Sequence, residues 1–414
     1  MRLTVVNQFF APDISPTAQL AASLAEHRAA KGDDVTIVTG RAGYLEDLAP
    51  TGVVRTGPEL RIRRVWTPDL GKSSRARRLL GYVTFFLGAV PRLLLLPRQD
   101  VIVAMTTPPF VLFTAVLHRL VHRRTRIVLW SMDCYPDAAE RFGELSTGGR
   151  AATCLRRLNR WLFRHVDVVV GLDGAMAELL QTQYAGSDDH PRFEVIPNWE
   201  RLEQFPDAPV EPWNGYQELP EGGRPVVLYL GNTGIGHGFG TVLDAAAQLA
   251  HEVVFVFVGG GARWAELERE VAAGGLTNVV LRGYVPKDDT RAVMAGADVA
   301  LITLDDRSLG VMSPSKLHGN LAAGLPVVYI GPKGSNVDEA IHRHDVGRSL
   351  RHGDVKGVVQ AIRELVADDG ARARARSAFE DHYSDAATLP AFDRVLDEPR
   401  LQTGSETSSG STSS

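Results

Sequence analysis

The sequence predicts an α/β protein with two similar domains, each a parallel sheet covered by helices, facing each other across a linker. Three observations carry this expectation. The chain has 414 residues, more than one core usually holds, so two domains of about 150–200 residues are expected. Short β-rich runs alternate with helical patterns in both halves, the arrangement of βαβ units. Between Pro197 and Arg224, the residues Pro206, Pro209, Pro212, Pro220, Gly222 and Gly223 leave no helical or strand period.

In the first half, Leu3–Val6 reads as a strand, and Ser15 caps a helix with Pro16 at its first position. Val35–Thr39, Val101–Met105, Arg126–Trp130, Val166–Val170 and Phe193–Ile196 are further strands. The second half supplies Val226–Leu230, Val253–Val258, Val279–Leu281, Val299–Ile302 and Val327–Ile330. Val253–Val258 is apolar at every position, which fits a strand covered on both faces. The expected division is a first domain over 1–200, a linker over 201–223 and a second domain over 224–385. A last helix over 386–400 follows, and the Ser/Gly/Thr-rich tail 401–414 is expected to be disordered.

Hydrophobic content of 44% and charged content of 23% exclude a disordered or fibrous chain. Two cysteines, Cys134 and Cys154, exclude a disulfide scaffold and give no zinc spacing, so a reducing compartment is expected. Leu3, Val5 and Val6 are broken by Asn7 and Gln8, so no signal peptide is read and the chain is expected to be cytosolic. Charge is uneven: residues 1–200 carry 25 Lys+Arg against 20 Asp+Glu, and residues 55–164 carry 20 against 7. Such an imbalance points to an anionic partner, membrane or nucleic acid, or to a solvated cationic face.

Two apolar stretches bear on the membrane. Leu79–Pro91 runs into Arg92 and is closed by Pro97, too interrupted for a spanning helix of about 20 apolar residues. Preceded by Arg75, Arg77 and Arg78, it has the pattern of a segment lying in the interface. Val101–Leu117 is interrupted by Thr106-Thr107-Pro108-Pro109 and reads as strand, turn and a helix from near Phe110.

Two segments carry candidate chemistry. Val226–Leu230 runs into Gly231-Asn232-Thr233-Gly234-Ile235-Gly236-His237-Gly238, and a helix opens near Thr241. Glycines let the backbone approach a ligand, and helix-start N–H groups favour an anion. The spacing is neither a Walker loop nor Gly-x-Gly-x-x-Gly, and no ribose-binding acid follows Gly259-Gly260-Gly261, which disfavours a nicotinamide or flavin enzyme. In the second segment, Ser313-Pro314-Ser315-Lys316 enters a helix that ends at Gly324-Leu325-Pro326. A cation in a first turn is poorly placed for the macrodipole, and a bound anion would resolve the conflict; an exposed lysine is the plain alternative.

With Asn7-Gln8-Phe9-Phe10-Ala11-Pro12-Asp13, Lys31–Thr39, Met132-Asp133-Cys134-Tyr135-Pro136-Asp137 and Ile196-Pro197-Asn198, these segments resemble the family 4 retaining glycosyltransferases of GT-B fold, especially the bacterial surface-polysaccharide branch. The resemblance covers most of residues 1–398 and implies two Rossmann-like domains with a cleft between them. The second domain is then expected to bind a nucleotide-diphosphate sugar and the first an acceptor glycan or lipid-linked sugar. Together with the basic, apolar segment 75–98, it leads to the expectation of an enzyme peripheral on the inner face of the plasma membrane, with an anionic membrane as partner and no nucleic acid; the His and Asp spacings show no dedicated metal site, and no cofactor is expected to be required. The last helix is expected to return to the first domain.

Carried over, Gly231, Asn232 and Gly234 lie against the diphosphate, and Gly259 and Gly260 end a strand on the nucleotide side. Gly283-Tyr284-Val285 frames the base, and Ser313, Ser315 and Lys316 serve the sugar–phosphate. Phe10, Pro12 and Asp13 lie on the acceptor side. Asp133 is the polar group offered to the reacting sugar, with a turn-forming Asp as the plain alternative. The catalytic candidates are Asp133, Lys316 and His237. Two departures stand out. The family's paired Glu positions are Val311 and Gly319 here, and the Arg and Lys that follow the glycine loop are Ile235 and His237. They keep open a nucleotide-sugar-binding protein without transfer; a nucleotide-sugar epimerase on a similar fold is the enzymatic alternative.

Overall fold

A computed structural model describes residues 1–13, 15–41, 59–68, 75–186, 191–219 and 223–399. The tail expected to be disordered, 401–414, lies outside the described residues.

The first half forms a seven-stranded parallel sheet of β1 (Arg2–Val6), β2 (Asp34–Gly40), β3 (Leu60–Val65), β4 (Val101–Ala104), β5 (Arg126–Trp130), β6 (Val168–Gly171) and β7 (Arg192–Val195). Its order is β3-β2-β1-β4-β5-β6-β7. Six parallel strands build the second sheet: β8 (Val226–Asn232), β9 (Val254–Gly260), β10 (Val279–Arg282), β11 (Val299–Thr303), β12 (Val327–Ile330) and β13 (Gly347–Leu350). Their order is β10-β9-β8-β11-β12-β13. Each order reverses once, between β1 and β4 and between β8 and β11, which leaves a crevice beyond the strands' carboxyl ends.

Two strands were not expected, β3 and β13. Arg61, Arg63 and Arg64 interrupt the first, and Gly347-Arg348-Ser349-Leu350 spells the second. Both are edge strands with one neighbour, so they need less apolar sequence than a central strand.

Helices α1 (Pro16–Ala30), α2 (Arg75–Leu94), α3 (Leu112–Val121), α4 (Asp137–Arg141), α5 (Arg150–Phe163) and α6 (Gly174–Tyr184) accompany the first sheet. With the second sheet come α7 (Gly240–Gln248), α8 (Trp264–Gly274), α9 (Thr290–Ala295), α10 (Lys316–Ala322), α11 (Asn336–His344), α12 (Val355–Val366) and α13 (Ala371–Ala378). Ser15 is the N-cap of α1, but its side chain makes no capping bond; its N–H instead donates to Asp13 Oδ1 at 2.7 Å.

The apolar run of β9 divides between two cores, as period-2 alternation requires. Val254, Val256 and Val258 face one core with Leu317 and Tyr329, while Phe255 and Phe257 face the other with Tyr229 and Val242. The described residues of the span expected as a linker, 201–219 and 223, are partly structured. They contain short turns of helix at Leu202–Gln204 and Asn214–Glu218, and Phe205 is buried in the second domain's core.

The last helix, α14 (Asp385–Asp397), begins where Ser384 accepts from Ala387 N–H, and it buries Leu389, Phe392, Val395 and Leu396 in the first domain's core. Phe392 packs against Trp130, which stacks on Trp199 with centroids 5.3 Å apart. Buried Arg28 pairs with Asp33, Asp393 and Asp397, so charge and aromatic packing hold the same helix. Both chain crossings meet at one point: Glu200 N–H donates to Tyr383 O at 3.1 Å, and Asp385 N–H to Glu200 O at 3.0 Å.

Candidate active site

Between the carboxyl ends of the two sheets lies a cleft of about 890 Å³. Ala11, Pro12, Asp13 and Asp133 line it from the first half; Gly231, Asn232, His237, Tyr284, Ser313 and Lys316 line it from the second. The walls are tied where β5 ends. Asp133 bridges Met312 in antiparallel fashion, and Cys134 N–H donates to Val311 O at 2.9 Å.

Lys316 opens α10 and reaches back to the end of β8. Its ammonium donates to Asn232 O at 3.0 Å and lies 4.9 Å from the centre of the Tyr229 ring. Gly231 makes this path possible: it adopts φ +117°, and a Cβ there would stand 3.3 Å from Lys316 Cε. Gly259, at φ +146°, serves the same corner, because a Cβ there would fall 2.1 Å from Gly231 O. Among the described residues no carboxylate lies within ion-pair distance of Lys316. Burial therefore lowers its pKa to about 8, although the side chain is half-buried rather than sealed. The expectation of an ordinary exposed lysine does not fit this position.

His237 stands where the resemblance places a Lys, but it does not supply that Lys's charge. Its Nδ1 lies 2.6 Å from Thr303 O, and a carbonyl only accepts, so Nδ1 carries the proton. Nε2 then presents a lone pair towards Lys316 Nζ, 3.5 Å away. Burial and the neighbouring Lys316 push its pKa down to about 3. His237 is thus a neutral acceptor that orients Lys316, not a second cation for a diphosphate.

Asp133 follows β5, with its N–H donating to Thr106 Oγ1 at 3.2 Å. Among the described residues its carboxylate accepts no hydrogen bond, which sets aside the turn-capping alternative. Burial alone raises its pKa to about 6.

The structure brings together Pro12, Asp13, Asp133, Gly231, Asn232, His237, Tyr284, Val285, Ser313, Ser315 and Lys316 on one surface. It does not bring Phe10, Gly234, Gly259, Gly260 and Gly283 to the cleft wall. Phe10 is fully buried in the first core, an apolar ring being worth more there than in a wet cleft. Gly260 is covered by the Tyr284 ring, whose hydroxyl donates to Gly260 O at 3.1 Å, and Gly283 is exposed. Ile235, in place of the expected Arg, is 44% exposed and off the cleft.

Sequence reasoning passed over Glu200, Arg201, Lys287 and Arg291, which also line the cleft. Glu200 follows the Ile196-Pro197-Asn198 motif by two residues, the only signal that could have marked it. Position 319 has no carboxylate, yet Glu200 Oε1 lies 3.7 Å from where a Cβ on Gly319 would stand. Among the described residues, no three His, Cys, Asp or Glu side chains converge as a metal-binding group.

Comparisons with known proteins agree with this geometry. The family model "Glycosyl transferase 4-like domain" matches residues 17–199, and "Glycosyl transferases group 1" matches residues 224–368. The chain is 26% identical over 304 residues to the probable glycosyltransferase WbjE of Pseudomonas aeruginosa, covering 71% of this chain and 74% of that one. It is 25% identical over 339 residues to the putative colanic acid biosynthesis glycosyl transferase WcaI of Escherichia coli, covering 78% and 82%. The solved structure of Anabaena Alr3699/HepE in complex with UDP and glucose shares the fold, with a TM-score of 0.66 at 15% identity over 96% of this chain and 99% of that one. A cleft between two parallel α/β sheets, with both halves matched in order by these models, makes the chain a member of the family 4 glycosyltransferases of GT-B fold.

Proposed function

We propose that this glycosyltransferase moves a hexosyl or N-acetylhexosaminyl group, with retention, from a nucleotide-diphosphate sugar to a lipid-linked or polysaccharide acceptor. The observation that carries the reading is Lys316: a half-buried cation with no counter-ion among the described residues, held over the Gly231 loop. That UDP is bound in the Anabaena neighbour supports a nucleotide donor for this cleft. As the diphosphate departs, negative charge grows on its oxygens and positive charge at the anomeric carbon. Lys316 stabilises the first, and ionised Asp133 opposes the second or orients the acceptor hydroxyl. The leaving phosphate can accept that hydroxyl's proton on the same face, so transfer with retention needs no other base. Exclusion of water from the cleft protects transfer against hydrolysis.

Incubating the protein with radiolabelled nucleotide sugars and a lipid-phosphate acceptor tests the reading. Labelled lipid product is the expected result. An epimerised donor, or donor binding without turnover, would replace it with one of the two alternatives.

The same reading places the enzyme on the inner face of the plasma membrane. No helix among the described residues is long and apolar enough to cross a membrane. α2 has two apolar faces instead: Phe85, Ala89 and Leu93 are buried, while Leu79, Val83 and Leu87 are exposed at helical spacing. Leu95 is 82% exposed just beyond it. Leu120 and Val121, also exposed, extend this surface, since α3 is joined to α2 by His118 Nδ1 and Leu93 O at 2.8 Å. Arg77, Arg78, Arg92, Arg98, Arg123 and Arg124 lie within or next to these segments in the sequence, Arg78 paired with Glu144 and Arg98 with Asp100, and a basic group near an anionic bilayer contributes about 1 kcal/mol. The protein is therefore expected to float with anionic vesicles at low salt, less at high salt, and not at all as the Val83→Glu/Leu87→Glu variant. Equal flotation with neutral vesicles would remove the electrostatic part.

A further inference from the structure

We propose that Glu200, on the crossing between the two domains, receives the ribose diol of the donor nucleotide; this rests on the nucleotide-sugar reading of the cleft. Glu200 lines the cleft beside Lys287 and Arg201, yet among the described residues its carboxylate makes no hydrogen bond and no ion pair within 4 Å. Glu200 is half-buried in the cleft wall, where burial raises its carboxyl pKa above the ordinary value while Lys287 and Arg201 oppose that rise. A ligand that donates two adjacent hydroxyl protons relieves this, because a carboxylate offers two acceptor oxygens and no donor.

The position suits a ribose. Gly319 lies three residues after Lys316 on α10, so the two share a helix face about 5–6 Å apart, the span from a phosphate to its sugar. Having no side chain, Gly319 leaves the space into which Glu200 Oε1 projects, 3.7 Å from a Cβ built there. Tyr284 and Val285 line the same end of the cleft, where a base would follow. The backbone of Glu200 is held on both sides, by Tyr383 O and by Asp385 N–H, so its side chain leaves a fixed point. A donor carboxylate reader is thus supplied by the chain crossing rather than by the nucleotide-binding helix.

The test measures dissociation constants of UDP, ADP, GDP and deoxythymidine diphosphate, then of the 2′-deoxy and 2′,3′-dideoxy forms of the best ribonucleotide. Wild-type protein is expected to prefer the ribonucleotide over its dideoxy form about 10- to 100-fold, the range for a hydrogen bond to a charged group. In Glu200→Ala this ratio is expected to fall below about 3, with dideoxynucleotide affinity unchanged. Both ligands are measured on one preparation, so partial unfolding cancels from the ratio. An undiminished ratio in Glu200→Ala, or tightest wild-type binding of deoxythymidine diphosphate, overturns the proposal and leaves the donor reading intact. Absence of binding by any nucleoside diphosphate overturns both.

Discussion

Lys316→Ala is expected to lower transfer about 100-fold, with more of the loss in kcat than in donor affinity. The ammonium donates to Asn232 O in the glycine loop, and no protein carboxylate neutralises it among the described residues. A hydrogen bond to a charged group contributes about 1.5–3 kcal/mol, and the contact strengthens as the diphosphate leaves, which shifts the cost to kcat. The lowered pKa adds a pH signature. Burial holds the free enzyme's Lys316 near pKa 8, so donor affinity should be flat below that value and weaken as the ammonium deprotonates above it. Titrating donor affinity from pH 6 to 10 in wild type and variant checks this; the variant should lack the alkaline limb. His237, held neutral with a pKa near 3, should add no acid limb above pH 4. A Lys316→Ala enzyme with unchanged turnover and affinity would remove the cation from the mechanism.

Asp133→Asn should cost at least about 100-fold in kcat while leaving donor affinity within a factor of two. This is the scale for a positioned group that acts in the transition state. The carboxyl titrates near pH 6 and acts when ionised, so wild-type kcat should fall as pH drops through 6; the variant should lose that limb. Stability should change in the opposite direction. An acid whose folded pKa lies above its unfolded value binds its proton more tightly when folded, so stability falls as pH rises from 3.8 to about 6, and the full cost is present above that. At pH 7.5 the neutral Asn should therefore stabilise the protein by about 1–3 kcal/mol, visible as a higher Tm. A lower Tm with retained turnover would assign Asp133 a structural role instead.

The sequence by itself determined the two parallel sheets, because their central strands are buried on both faces and must be written as apolar runs such as Val254–Val258. It also marked Gly231, Gly259 and Lys316, since only glycine tolerates those backbone angles beside a crossing side chain. The edge strands Leu60–Val65 and Gly347–Leu350 were not legible, for one-sided pairing relaxes the pattern that reveals a strand. Only the tertiary structure decided protonation and partnership. Whether His237 is a cation or a neutral acceptor depends on Thr303 O, sixty-six residues away, and on the burial they share. Phe10 and Asp13 stand three residues apart in one motif, yet the first turns into the core and the second into the cleft. Glu200 shows the reason most clearly: it meets Gly319 because two chain crossings pair beside α10, and no local pattern encodes a contact over that separation. Local physics writes strands, turns and glycines into the sequence, whereas charge state and site membership arise from distant residues and the solvent they exclude.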